Sequence, residues 1–96
     1  MNSFGEFLRY NREQLGLPLR KVADELDIDT SILSKIKRGE RAATKEMLAT
    51  FSKTLEIPQR TIEVEFIKSY ILTDLNDLMY LDNGLEETLT VIKNHK

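Results

Sequence analysis

The chain has no cysteine and no tryptophan, one histidine (His95), two prolines and four glycines. Without cysteine, disulfides and thiolate metal sites are excluded. One histidine next to the last position leaves no metal-ligand spacing, so no metal and no cofactor is expected. A glycine-rich phosphate loop is missing too, as is any convergent acid, base and nucleophile of the kind catalysis needs. The chain therefore does not read as an enzyme. Long apolar runs are also lacking. The longest, Leu78 to Leu81, falls far short of the roughly 18 residues needed to span a bilayer. The opening "MNSFGEF" has neither a basic segment nor an apolar one after it, so no export signal is read there. The expectation is a soluble, cytoplasmic protein. Strand-like alternation and internal repeats are absent as well.

What remains is a chain of 96 residues, 41% apolar and 31% charged, enough for one hydrophobic core. Its net charge of -2 is unevenly placed. Residues 1–57 carry ten Lys/Arg and nine Asp/Glu, a balance of +1, whereas residues 58–96 carry four and seven, a balance of -3. Between Lys35 and Lys45 there are five bases and one acid. A protein need be basic only where it meets phosphate, so overall acidity is compatible with DNA binding.

Helical spacing dominates. "SFGE" at Ser3–Glu6 is a capping box ahead of Phe4, Phe7, Leu8 and Leu15, and Gly16 is a left-handed stop. Asn11, on the same stripe, reads as a core-edge amide bonded to backbone. A second helix follows Pro18, with Leu19, Val22, Ala23 and Leu26 at i, i+3, i+4 and i+7. Asp27 falls where the chain must turn sharply, and Asp tolerates positive φ. Asp29 can cap a third helix that runs to about Arg38 and closes at Gly39. At about 100° per residue, Ile32, Leu33 and Ile36 point one way while Thr30, Ser31, Ser34, Lys35 and Arg38 point the other. Ile32 reads as core rather than as a contact to a thymine methyl.

Thr44 is placed to cap a fourth helix, with Met47, Leu48, Phe51 and Leu55 inward. A longer helix is expected from Gln59 to about Tyr80, interrupted by "DNGLEE", where Asn83 and Glu86 form another capping-box pattern. The last helix carries Leu85, Leu89 and Ile92. The chain reads as all-α, with about six helices.

Two short helices joined by a three-residue turn are a weak signal alone, but the pattern tightens when positions are combined. Ala23 is the small residue where the second helix crosses the first, Asp27 the permissive turn, and Val22, Leu26, Ile28, Leu33 and Ile36 the apolar contacts. On "LGL" at Leu15–Leu17, "VA" at Val22–Ala23, "LSKIKRGER" at Leu33–Arg41 and "LEI" at Leu55–Ile57, residues 4–57 resemble the helix-turn-helix family of phage repressors and Cro proteins, often called the XRE family. The resemblance implies a lambda-repressor-like helix-turn-helix bundle with a C-terminal helical extension: a DNA-binding domain over residues 1–57 and an extension over residues 58–96. It also implies that the third helix enters the major groove, with Thr30, Ser31 and Lys35 facing base edges. Ser34 and Arg38 would then meet the groove wall or phosphate, and Arg20, Arg41 and Lys45 the backbone. Such contacts suit the chemistry, since lysine donates to guanine and hydroxyls serve several bases.

Three positions depart from the family. Lys37 stands where a glutamate commonly pairs with an arginine at the place of Arg12, so Arg12 is expected to turn to Glu40 or to phosphate. Ala43 replaces a frequent proline, and Leu19 replaces a Gln or Glu that would bond phosphate.

The stripe on Gln59–Tyr80 is wider than a four-helix core requires, and exposed apolar surface marks a partner. Phe66, Tyr70, Ile71, Leu75, Leu78 and Met79 are therefore expected to form a homodimer interface, so that two recognition helices read a palindromic operator. The competing arrangement has the last helix folding back over this stripe. The function expected is a sequence-specific, double-stranded DNA-binding transcriptional regulator, a repressor in the simplest form. A protein-interaction adaptor or antitoxin-like module, binding another protein through residues 58–96, is the alternative.

Overall fold

A computed structural model describes residues 3–95; Met1 and Asn2 of the "MNSFGEF" stretch, and Lys96, lie outside it. The described residues form six α-helices and one short 3-10 helix. These are α1 (Phe4–Gln14), α2 (Leu19–Leu26), α3 (Thr30–Lys37), a 3-10 turn at Lys45–Met47, α4 (Leu48–Thr54), α5 (Gln59–Leu75) and α6 (Leu81–Asn94).

Helix α1 starts as its sequence demands: the Ser3 hydroxyl accepts from the Glu6 amide at 3.1 Å and donates to the Glu6 carboxylate at 3.2 Å. Four helices then end in the same way. After α1 the amides of Gly16 and Leu17 bond back to the carbonyls of Glu13 and Arg12, with Gly16 at φ +67°. Equivalent 6→1 closures follow at Asp27–Ile28, Gly39–Glu40 and Glu56–Ile57, with left-handed Asp27, Gly39 and Glu56. This geometry satisfies the orphan carbonyls of a helix end without any side chain. Glu56 is the stop that the sequence conceals, because a glutamate at φ 55° costs about 1–2 kcal/mol where glycine would not. The Ser52 hydroxyl, donating to the Ile57 carbonyl, offsets part of that cost.

The core consists of Phe4, Leu8, Val22, Ala23, Leu33, Ile36, Ala43, Leu48, Phe51, Leu55, Ile57 and Ile62. Phe51 and Ile62 are fully enclosed. Ala43, in the loop after α3, is itself buried, so the position that lacks the family's proline contributes core packing. Helix α5 completes this core rather than hanging from it: Ile62 is inside, and Phe66 packs edge-on against Phe4 at a ring distance of 5.5 Å. The Phe4 amide also donates to the Ser69 hydroxyl at 3.2 Å. Asn11 donates to the Phe7 carbonyl at 2.8 Å, as its place on the stripe implied. Leu15, expected on that stripe, is instead exposed at the cap.

Glycine at position 5 is required. A Cβ there would lie 2.5 Å from the carbonyl oxygen of Ile36 and closer still to that of Lys37. Backbone therefore meets backbone where α1 crosses the end of α3, and this contact helps set the tilt of α3.

The tail differs from its expected outline. Helix α5 stops at Leu75, not near Tyr80, and residues 76–80 form turns. Asn83 and Gly84 lie inside α6 rather than in a break. Asp82 suits the positive start of α6, whereas Asp74 stands in the last turn of α5, where the helix dipole disfavours it. Helix α6 buries no residue, so it does not fold back to cover the α5 stripe.

Candidate nucleic-acid interface

Val22 and Ala23 on α2 are almost completely buried, and so are Leu33 and Ile36 on α3. Leu26, Ile28 and Ile32 pack against the same cluster. This wedge leaves the opposite face of α3 open: Thr30, Ser31, Lys35 and Arg38 are exposed and Ser34 is half-buried. Ile32, half-buried on the core, behaves as a packing residue. Asp29 occupies the N-cap position of α3, but its side chain makes no capping bond, and no side chain caps α2 after Pro18 either.

The structure distributes the expected cations unequally. Among the described residues, Arg20, Lys35, Arg41 and Lys45 are exposed and make no ion pair with a protein carboxylate. Arg41 is hooked to the end of α3, its amide bonding the Lys35 carbonyl at 3.2 Å. Lys45 stands further off, beside Ile67, Tyr70 and Ile71 on the α5 side. Lys21 is paired with Glu25 at 3.6 Å.

Arg38 is the exception, because its Nε donates to the Glu40 carboxylate. That hydrogen bond, aided by the charges of Arg38 and Lys35, holds the Glu40 carboxyl below its ordinary range. Arg38 is thus already engaged by a carboxylate, a pairing that sequence spacing did not reveal. Glu40→Gln should raise affinity for duplex DNA about three- to ten-fold at low salt and steepen the salt dependence by about one phosphate contact, as titration across salt would show. Unchanged affinity and slope would mean that Arg38 meets no phosphate.

Arg12 does not turn to Glu40. Its guanidinium donates to the Leu17 carbonyl at 2.6 Å and lies 4.0 Å from Glu13, while its buried Nε has no partner. Lys37 is half-buried and lines the same narrow, largely apolar cavity, with Leu8, Leu19, Val22 and Leu33. Leu19 thus points to the core rather than to a phosphate. A carboxylate at position 37 would supply the missing acceptor. Lys37→Glu should therefore stabilise the fold by about 1–2 kcal/mol. Calorimetry should show a rise in Tm on the order of 4–15 °C, and a fall would show that Arg12 is already satisfied.

The dimer set expected from sequence is divided as well. Tyr70, Leu75, Leu78 and Met79 are exposed and Ile71 is half-buried. Phe66 is half-buried against the core, edge-on to Phe4 and tilted to Tyr70. Val64, which the helical period of the sequence left out, and Ile67, which it included, are exposed on α5 opposite its packed face. Helix α5 is apolar on two sides and its own chain covers one of them, whereas a helix with apolar residues all round is normally enclosed.

Comparison with known proteins agrees with this geometry. Residues 8–58 match the family model HTH_3, described as helix-turn-helix. An uncharacterized HTH-type transcriptional regulator of Mycobacterium tuberculosis is 25% identical over 88 residues, covering 86% of this chain and 61% of the relative. The transcriptional regulator ClgR of the same organism is 30% identical over 61 residues, covering 64% of this chain and 54% of ClgR. The chain thus spans less than two thirds of the length of these relatives. No solved structure gives a significant match. With its two-helix wedge, free polar face and matched span of residues 8–58, the chain belongs to the XRE-type helix-turn-helix family of transcriptional regulators.

Proposed function

We propose that this protein is a sequence-specific, double-stranded DNA-binding transcriptional repressor that acts as a homodimer. The observation that carries the reading is the α3 face: two exposed hydroxyls, a half-buried one and an exposed, unpaired lysine lie opposite the core on a helix held by four buried side chains. A major groove admits one such helix, and donors of this kind read base edges. One short helix contacts few bases, and twofold pairing through residues 58–96 supplies the second half-site. Arg20, Ser34, Arg41 and Lys45 then contribute phosphate contacts, with Arg38 available once it leaves Glu40.

The decisive experiment selects binding sites from random duplex DNA and titrates the winner across salt. A twofold-symmetric sequence is expected. Log affinity should fall linearly with log salt, with a slope of about -0.9 per neutralised phosphate. Absence of any enriched sequence, or a flat salt response, would instead favour the adaptor reading, in which residues 58–96 bind another protein.

A further inference from the structure

We infer that α6 pairs with α6 of a second copy, running antiparallel, and that this helix pair is the centre of the dimer. The inference rests on the homodimer reading and gives it a geometry. At about 100° per residue, Leu81, Gly84, Leu85, Thr88, Leu89 and Ile92 share one face of α6. None of these residues is buried in its own chain: Leu81 is half-buried and the others are exposed. The Thr88 hydroxyl donates to the Gly84 carbonyl at 2.7 Å, so its hydrogen-bonding need is met inside the helix.

The occupant is a second copy because this face complements itself. In an antiparallel pair, Leu81 stands opposite the partner's Ile92, Leu85 opposite the partner's Thr88, and Gly84 opposite the partner's Leu89. Gly84 has no other physical account. Glycine inside a helix costs about 0.5–1 kcal/mol relative to alanine, and a Cβ there would meet nothing within 4 Å. A large side chain seated against it from the partner explains the small residue.

Charge points the same way. The first half of α6 is acidic, with Asp82, Glu86 and Glu87, and its end is basic at Lys93. Asp82 and Lys93 lie on one flank of the helix. Antiparallel pairing sets Asp82 beside the partner's Lys93 twice, whereas parallel pairing sets like charges together. The apolar face also continues into an open groove of about 450 Å³ lined by Leu75, Leu78, Met79, Tyr80, Leu81 and Leu85. The partner's helix end would enter it.

The lack of cysteine makes the test clean. Leu81→Cys and Ile92→Cys each introduce the sole thiol at a position that supports no core packing. Treated with a thiol crosslinker of about 8 Å reach, near the spacing of packed helices, the mixed variants should give covalent dimers. Neither variant alone should do so, because eleven residues separate like positions by about 16 Å along the axis. Lys93→Asp should weaken association about three- to ten-fold, and Asp82→Lys with Lys93→Asp should restore it. Self-crosslinking of Leu81→Cys would establish a parallel pair and overturn the inference. A dimeric mass without crosslinks would overturn it too, placing the interface on the α5 face. A monomeric mass would remove the dimer itself, and DNA binding by the same samples reports separately on α3.

Discussion

Gly5→Ala should lower stability by about 3 kcal/mol, the upper end of what a single added methyl does in a packed interior. Most added methyls are absorbed by neighbouring side chains that rotate away. Here the obstacles are the carbonyl oxygens of Ile36 and Lys37, within 2.5 Å of the added carbon. Backbone cannot yield without moving a whole helix, so either α1 lifts off α3 or α3 tilts. For a domain of this size the melting temperature should fall on the order of 10–25 °C. Urea denaturation followed by circular dichroism would measure it, and a loss under about 1 kcal/mol would mean that the crossing is looser than described. The surviving folded fraction should also bind DNA poorly, because the moved helix is the one that carries Lys35.

Lys35→Ala and Arg41→Ala should separate reading from gripping. Lys35 is exposed in the last turn of α3 and pairs with no carboxylate. A lysine or arginine donor to a guanine edge is worth about 1–3 kcal/mol of discrimination. Its loss should compress the difference between the selected operator and single-base variants by about 5- to 150-fold, mainly at one base pair of each half-site. Arg41, beside the helix end, should behave otherwise. Its removal should weaken all sequences alike and make the salt slope shallower by about 0.9 for each phosphate left unneutralised. Binding measured on the operator and its variants at several salt concentrations distinguishes the two. If Arg41→Ala changed base preference and Lys35→Ala did not, the assigned roles would be exchanged.

The first half of the chain was largely legible because its signals are local. The Ser3–Glu6 box, the stops at Gly16, Asp27 and Gly39, and the buried Val22, Ala23, Leu33 and Ile36 each depend on near neighbours in sequence. What was hidden depends on tertiary neighbours. Gly5 looks like one glycine in a capping box until α3 is seen against it. Phe66 looks like part of a free stripe until Phe4 is found beside it. Glu56 carries no turn signature at all, and its left-handed backbone is imposed by the docking of Ile57 into the core. At the tail, "DNG" has the composition of a turn, yet Asn83 and Gly84 are helical. There Asp82, well placed at the positive start of a helix, was the more informative signal. Glu40 could have been suspected from its position two residues beyond Arg38 at a helix end, but its pairing is a matter of geometry.

Helix α5 is wedged into the bundle by Ile62, Phe66 and the Phe4–Ser69 bond, so it is seated on the same core as α2 and α3. In the proposed dimer, each recognition helix is therefore fixed relative to α5, and the turn at residues 76–80 is the joint between it and the α6 pair. Each base pair inserted between half-sites moves one of them by about 3.4 Å and turns it by about 35°. A long flexible linker would take up such a step, whereas here only that short turn and bending or twisting of the DNA could. The operator's central spacer should accordingly tolerate changes in sequence far better than changes in length.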